Sequence, residues 1–302
     1  IIRQERPCAA ACGMDAIHSD CNGRADIDYE KCVSCGQCLV NCPFGAIADK
    51  SQIFQMIRAI QAGERVYAAV APAFVGQFGP KMTPGKLRAA MKRLGFADII
   101  EVAIGADLCA AQEAEDFVEE VPEKLPFMAT SCCPAWSMMA KKLFPEQANC
   151  ISMALTPMTL TARLVKHHQP GAKVAFIGPC AAKKLEAMRS DVRSEVDFVL
   201  TFEEMAGIFA ARHIDVETLK EDPHGINDAS TRWRQVPAAI PAKESPRDQE
   251  HRRAPAAGCC CPSCSCRVSS AIPPDHPSHP KQSWPPPDPI ARPTLHAGPL
   301  HH

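Results

Sequence analysis

The chain has 302 residues, 46% of them apolar, with a formal net charge of -1 and a pI near 6.9. That is enough apolar sequence for a sizeable core and roughly two domains, and the near-neutral balance excludes a nucleic-acid footprint. No apolar stretch approaches the ~20 residues of a membrane span. Seventeen cysteines without an export signal point to metal binding or catalysis rather than disulfides. The expected setting is cytoplasmic, reducing and anaerobic. The chain opens at Ile1-Ile2-Arg3 without a Met, so its upstream end is expected to lie beyond this sequence.

Residues 1–50 carry the most specific motif, Cys32-x2-Cys35-x2-Cys38-x3-Cys42-Pro43. Three thiolates at this spacing wrap one cubane, and the fourth, followed by Pro, serves a second cluster. An internal repeat supports this, because Cys8, Cys12, Ala16 and Ile17 recur as Cys38, Cys42, Ala46 and Ile47. Cys12 is then the crossed ligand completing the cluster of Cys32, Cys35 and Cys38. Cys8 and Cys42 belong to the other cluster, whose remaining ligands either lie upstream of Ile1 or are absent. Zinc is the alternative, but it usually takes paired C-x2-C knuckles separated by a longer loop. The module resembles a bacterial two-cluster ferredoxin. Cys21 lies outside the pattern and reads as a free thiol.

From residue 51 the sequence alternates helix and strand. Ser51 starts a helix ending near Gly63, and Val66–Val70 is a strand leading into Ala71-Pro72-Ala73. Thr83 caps a helix with Pro84 at its first position, running to Gly95. Ile99–Ile104 reads as a strand ending in Gly105-Ala106-Asp107, followed by an acidic helix, Gln112–Glu120. Leu125–Ala129 reads as a short buried strand leading into Thr130-Ser131-Cys132-Cys133-Pro134-Ala135-Trp136, with a helix after Pro134. Lys173–Ile177 is a strand ending in Gly178-Pro179-Cys180, Ala181–Arg189 a helix, Phe198–Leu200 a strand and Glu203–Arg212 a helix.

Such alternation implies an α/β fold with a parallel sheet, whose ligands lie beyond the carboxyl ends of the strands. Cys133 and Cys180 can therefore converge on one metal site, buried structural cysteine being the bland alternative. Adjacent thiols rarely serve one metal together, so Cys132 and Cys133 are expected to hold different jobs, one metallic and one protonic.

Thr130–Trp136 and Pro179-Cys180-x2-Lys183-x2-Glu186 resemble the first two signature motifs of the [FeFe] hydrogenases, and the resemblance runs from about Cys8 to Ser230. It implies an active site in which a [4Fe–4S] cluster is bridged to a two-iron subcluster carrying CO, CN and a dithiolate, together called the H-cluster. By that resemblance Cys133 and Cys180 are cubane ligands. Cys132 is the last proton donor and acceptor, and Lys183 hydrogen-bonds a cyanide. Ala71, Pro72 and Ala73 line the same pocket, Ala73 replacing a frequent Ser. The family's proton relay maps onto Cys132, Asp116, Ser152 and Glu113, while a solvated helix face is the plain reading of the two carboxylates. The implied reaction is the reversible joining of two protons and two electrons into H2. The implied partners are ferredoxin or another low-potential carrier and the hydrogenase maturation machinery, with no nucleic acid and no membrane. Cys109 and Cys150 match no family ligand and read as packing residues.

The family's third motif, Glu-x-Met-x-Cys-x3-Cys, does not occur in these 302 residues. After Asn227-Asp228-Ala229-Ser230 the composition changes: residues 237–302 hold 15 of the 28 prolines and six of the 11 histidines. Such a stretch buries too little apolar surface to fold alone, and Cys259-Cys260-Cys261-x2-Cys264-x-Cys266 lacks the missing spacing. The expected organisation is thus a ferredoxin-type module over 1–50, an incomplete hydrogenase-type α/β domain over 51–230, and a tail over 231–302 that is disordered or out of frame. The rival to the enzyme is a non-catalytic iron–sulfur electron-transfer or sensory protein on the same fold.

Overall fold

The N-terminal repeat is visible as repeated backbone geometry. Helix α1 (Pro7–Ala10) and helix α2 (Gln37–Val40) are single turns thirty residues apart. After them Cys12 N–H donates to Ala9 O and Cys42 N–H to Leu39 O, and the amides of Asp15 and Gly45 donate to the carbonyls of Cys12 and Cys42. Asp15 and Gly45 both take positive φ, 48° and 58°, which lets the chain turn back on its cysteine in each copy. Between the copies, strands β1 (Ile17–Ser19) and β2 (Ala25–Ile27) pair antiparallel. The computed structural model describes residues 6–189, 192 and 194–223; the tail expected from residue 231 lies outside the described residues.

The second part is built on four parallel strands in the order β4-β3-β5-β6: β3 (Val66–Val70), β4 (Asp98–Glu101), β5 (Lys173–Gly178) and β6 (Phe198–Thr201). Four of the five β3 residues are buried, as a central parallel strand covered on both faces requires. Helices α3 (Ile53–Gln61), α4 (Pro84–Leu94), α7 (Pro157–His168) and α9 (Phe202–Ala211) pack on the sheet. Met56, Leu87, Met91, Met158 and Met205 fill the space between, each at 1% exposure or less. At α4 the Thr83 hydroxyl accepts from Lys86 N–H and Pro84 opens the first turn. At α9 Thr201 and Glu204 form a capping box.

Several boundaries differ from the expectation. Strand β4 stops at Glu101, and α5 (Ala103–Glu120) starts two residues later as one continuous helix. Gly105-Ala106-Asp107 therefore sits in its first turns rather than at a strand end. Leu125–Ala129 is not a sheet strand: it forms an isolated parallel bridge between Ala129 and Ile151, and Phe127 is 41% exposed. A run with Pro126 at its second position offers a poor ladder. Helix α7 was not anticipated, although Thr156-Pro157 signals its start and the Thr156 hydroxyl caps Thr159 N–H.

Gly105 has a steric reason. A Cβ there would lie 2.3 Å from Thr161 Oγ1 and 2.6 Å from Pro157 O, so the side-chain-free position lets α5 lie against α7. The carbonyl cannot move without shifting a helix. Gly105→Ala is therefore expected to destabilise the fold by about 1–3 kcal/mol, the usual range for overpacking, read as a lower midpoint in thermal or urea unfolding; an unchanged midpoint would contradict the close approach.

Candidate iron–sulfur and hydrogenase-type site

Cys12, Cys32, Cys35 and Cys38, the four cysteines assigned to one cubane, all line one cavity of about 460 Å³. Its other walls are mainly apolar, including Ile17, Ile27, Val33 and Leu39. Two left-handed residues, Ser34 at φ 54° and Gly36 at φ 81°, turn the loop so that its thiols face inward. Ala16 N–H donates to Cys12 Sγ at 3.4 Å and Ser34 N–H to Cys32 Sγ at 3.3 Å, the kind of contact that stabilises a cluster thiolate. Among the described residues no three of His, Cys, Asp and Glu close on the geometry of a single metal ion. The four cysteines share the wall of one cavity, and its lining of thiols and apolar side chains would accommodate a cluster.

Cys8 and Cys42 lie outside that cavity, Cys8 buried and Cys42 half-buried. Ala46 N–H donates to Cys42 Sγ at 3.3 Å, matching Ala16 and Cys12 in the other copy. Backbone N–H groups of Phe44 and Ala46 hold the Cys42 thiol below its usual range, whereas burial and then Cys32 and Cys35 push Cys38 up. Cys21 is exposed in the turn between β1 and β2.

The second sulfur site lies where two helices begin. Cys133 is the N-cap of α6 (Pro134–Leu143), and Cys180 follows β5 and precedes α8 (Ala182–Met188). Helices α6 and α8 pack together. Val33, Ala135 and Ala182 form a buried apolar cluster, with Met14, Met138, Met139 and Cys180 against it. Val33 lies between two N-terminal ligands, Ala135 two residues after Cys133, and Ala182 two after Cys180, so this cluster joins the loops of both predicted sites. Lys142 of α6 adds polar contacts, donating to the carbonyls of Glu30 and Cys32.

Lys183 occupies a built position. Its ammonium donates to Cys132 O at 2.8 Å and to Glu186 Oε2 at 2.7 Å, and Glu186, 1% exposed, also accepts from the Thr156 hydroxyl. The lysine is held at the twin-cysteine turn by a buried carboxylate. Cys132 and Cys133 are exposed. Pro72 and Ala73 are exposed in a 3₁₀ turn at the carboxyl end of β3, while Ala71 is buried and donates to Ile177 O.

The acidic helix sorts its charges. Val102, immediately before α5, and Gly105, Cys109, Glu113, Asp116 and Glu120 on it form one inward stripe that is buried or half-buried, whereas Glu115 and Glu119 face solvent. Glu119 instead pairs with Lys124. Asp116 accepts from Gln112 Nε2 at 2.9 Å. Ser152 is buried, and its N–H donates to Ala129 O just ahead of the cysteine turn. It lines a smaller cavity, of about 190 Å³, with Ser131, Thr156 and Glu186.

Cys109 is buried, as a packing residue would be, and it lies near charged groups. Burial first, then the negative charges of Glu113 and Cys132, push its thiol up to about 11, with Lys183 pulling the other way. It thus lies among the groups assigned to proton handling. The signal was in the sequence, since Cys109, Glu113 and Asp116 recur at i, i+4 and i+7. Cys150 is buried beside Asn149.

With this geometry in place, comparison with known proteins identifies the class. The model of the iron only hydrogenase large subunit, C-terminal domain, matches residues 64–240, more than half of the chain, and a 4Fe-4S binding domain model matches residues 25–48. The chain belongs to the iron-only hydrogenase large-subunit family and carries iron–sulfur clusters. It is 32% identical over 201 residues to iron hydrogenase 1 of Clostridium pasteurianum, covering 59% of this chain and 35% of that one. It is 26% identical over 239 residues to cytosolic iron-sulfur assembly component 3 of Bos taurus, covering 66% and 49%. The structure of HydA(deltaEFG), which concerns stepwise assembly of the [FeFe]-hydrogenase H-cluster, superposes with a TM-score of 0.52 at 25% identity over 61% of this chain and 57% of that one. The chain spans about a third to a half of the length of these curated relatives.

Cys109 gives a pH prediction. A thiol raised to about 11 keeps its proton in the folded chain when the unfolded chain, titrating near 9, has lost it. The unfolded state then binds fewer protons, so stability falls as pH rises from 9 towards 11. Urea midpoints at pH 7.5 and 10.5 should show a smaller drop for Cys109→Ala than for the parent; equal drops would contradict the assignment.

Proposed function

We propose that this chain carries hydrogenase-type chemistry, the reversible conversion of two protons and two electrons into H2. The observation that supports it is the apolar contact of Val33, Ala135 and Ala182, which sets the N-terminal sulfur cavity against the Cys133 and Cys180 turns. In this reading electrons enter from a ferredoxin or similar low-potential carrier through the cluster of Cys12, Cys32, Cys35 and Cys38. Cys133 and Cys180 are two ligands of the active-site cubane, and the remaining ligands belong to the family's third motif. The H-cluster, when bound, supplies the redox chemistry of hydrogen; the protein supplies ligands, proton delivery and exclusion of water.

Protons move along the inward stripe of α5. Glu113, Ser152 and Asp116 carry them inward in that order, and Cys132 is the terminal donor and acceptor. Asp116 is one methylene shorter than the glutamate usual in the family, which leaves a longer gap for the proton to cross. Lys183, oriented by Glu186 and the Cys132 carbonyl, presents its ammonium to an anionic ligand of the two-iron unit. Residues 1–50 act as the ferredoxin-type domain and residues 51–230 as the hydrogenase domain.

A second reading is a non-catalytic iron–sulfur protein, favoured by the similarity to an iron–sulfur assembly component. Infrared spectroscopy separates the two. Produced with the hydrogenase maturation machinery and with a segment supplying the third motif, the protein should show CO and CN stretching bands. Cluster signals without those bands would favour the second reading. In the same preparation Cys132→Ser should keep its iron while losing about 10²–10⁴-fold in turnover, the range for a removed proton-transfer group. Cys133→Ser should lose the iron of the active-site cubane.

A further inference from the structure

We propose that Lys184, held between Asp49 and Glu204 in the wall of the N-terminal cavity, sets the reduction potential of the cluster bound by Cys12, Cys32, Cys35 and Cys38. The inference rests on that ligand assignment and adds to it a residue with no assigned role. Lys184 and Asp49 both line the cavity that the four cysteines line. The Lys184 ammonium lies 2.7 Å from Asp49 Oδ2 and 3.0 Å from both carboxylate oxygens of Glu204. Its side chain is 9% exposed, so solvent screens it weakly. Glu204 is fixed from a second direction, since its Oε2 accepts Thr201 N–H at 2.8 Å in the capping box of α9.

Two consecutive lysines on α8 thus face two predicted iron–sulfur sites. Lys183 turns to the Cys132 carbonyl, and Lys184 reaches the wall of the N-terminal cavity. The loops are close at this end of the helix: a Cβ built on Gly36, between Cys35 and Cys38, would sit 4.0 Å from Ala181 Cβ. Lys184 therefore shares with the four cysteines the wall of one largely apolar cavity.

A cubane with four thiolates is an anion, and reduction adds one electron to it without adding a proton. A fixed ammonium nearby favours the reduced state, and a fixed carboxylate opposes it. As one ammonium and two carboxylates the triad carries a net negative charge. Removing the ammonium should lower the potential, and removing one carboxylate should raise it.

The test is a potentiometric titration of the full chain, anaerobically reconstituted with iron and sulfide and reduced stepwise with dithionite. The reduced cluster is followed by electron paramagnetic resonance, and the signal lost in Cys32→Ser identifies the N-terminal cluster. Lys184→Gln should shift the reduction equilibrium about tenfold towards the oxidised state, equivalent to about 59 mV for one electron. Asp49→Asn should shift it the other way, and Lys184→Arg should keep the parent value. Shifts of the same sign, or no shift, would overturn the proposal. So would loss of the signal in Lys184→Gln together with an unmoved Asp49→Asn, which would make the lysine merely structural. A parent with no reducible cluster would instead overturn the ligand assignment beneath it.

Discussion

Everything proposed for this molecule depends on one small apolar contact. Val33, Ala135 and Ala182 meet with Met14, Met138 and Met139 around them and Cys180 at their edge. Two of the three central residues are alanines, so the loops that carry the cysteines approach almost backbone to backbone. Larger side chains would hold the two sulfur sites apart, and polar ones would bring water between them. The polar contacts beside this patch, Lys142 to the carbonyls of Glu30 and Cys32, orient it but lie exposed, where such bonds contribute little.

The parallel sheet exists to deliver residues to that contact. Strand β5 ends at Gly178, two residues before Cys180, and a Cβ on Gly178 would lie 2.4 Å from the Phe176 ring. Strand β3 ends at Val70, and the N–H of the next residue, Ala71, still bonds across to Ile177 of β5. Behind these ends, α5 runs along α7 at a separation set by Gly105 and Thr161. The acidic stripe of α5 therefore reaches the cysteine turn at a height fixed by two glycine-sized gaps rather than by hydrogen bonds.

Much of this was legible in residue order. Val66–Val70 reads as a strand because it is a short run of β-branched, aromatic and small residues bounded by charge and Pro, and it is one. Thr83-Pro84 and the Gly95 stop define α4 by capping chemistry alone. The four-cysteine run with its thirty-residue repeat marked two related segments, which the structure forms as turns with paired hydrogen bonds. Leu125–Ala129 misled because apolar content was read without the cost of a Pro in the ladder. Helix α7 went unseen because its buried face mixes Thr159, Thr161 and Arg163 with apolar residues, so polarity did not alternate as an amphipathic pattern should. The site divides the same way. Motifs located the cysteines, Lys183 and its i,i+3 neighbour Glu186, but the partners Thr156, Asp49 and Glu204 come from distant segments that only the fold brings together.

The internal repeat has a consequence for how the N-terminal module becomes stable. In the proposed assignment its two copies would share ligands crosswise, with Cys12 from the first turn and Cys32, Cys35 and Cys38 from the second. Neither copy can hold that cubane alone, so the cluster is a cross-link closing a loop of about twenty residues between them. In the metal-free chain that loop's entropy must be met by a short two-stranded ribbon and two single-turn helices, too little structure to meet it. Cluster insertion and folding of this module are then one event, and the binding energy of iron and sulfide becomes its folding energy. On that assignment the first cluster acquired would brace the loop of Val33, the surface against which the second site rests.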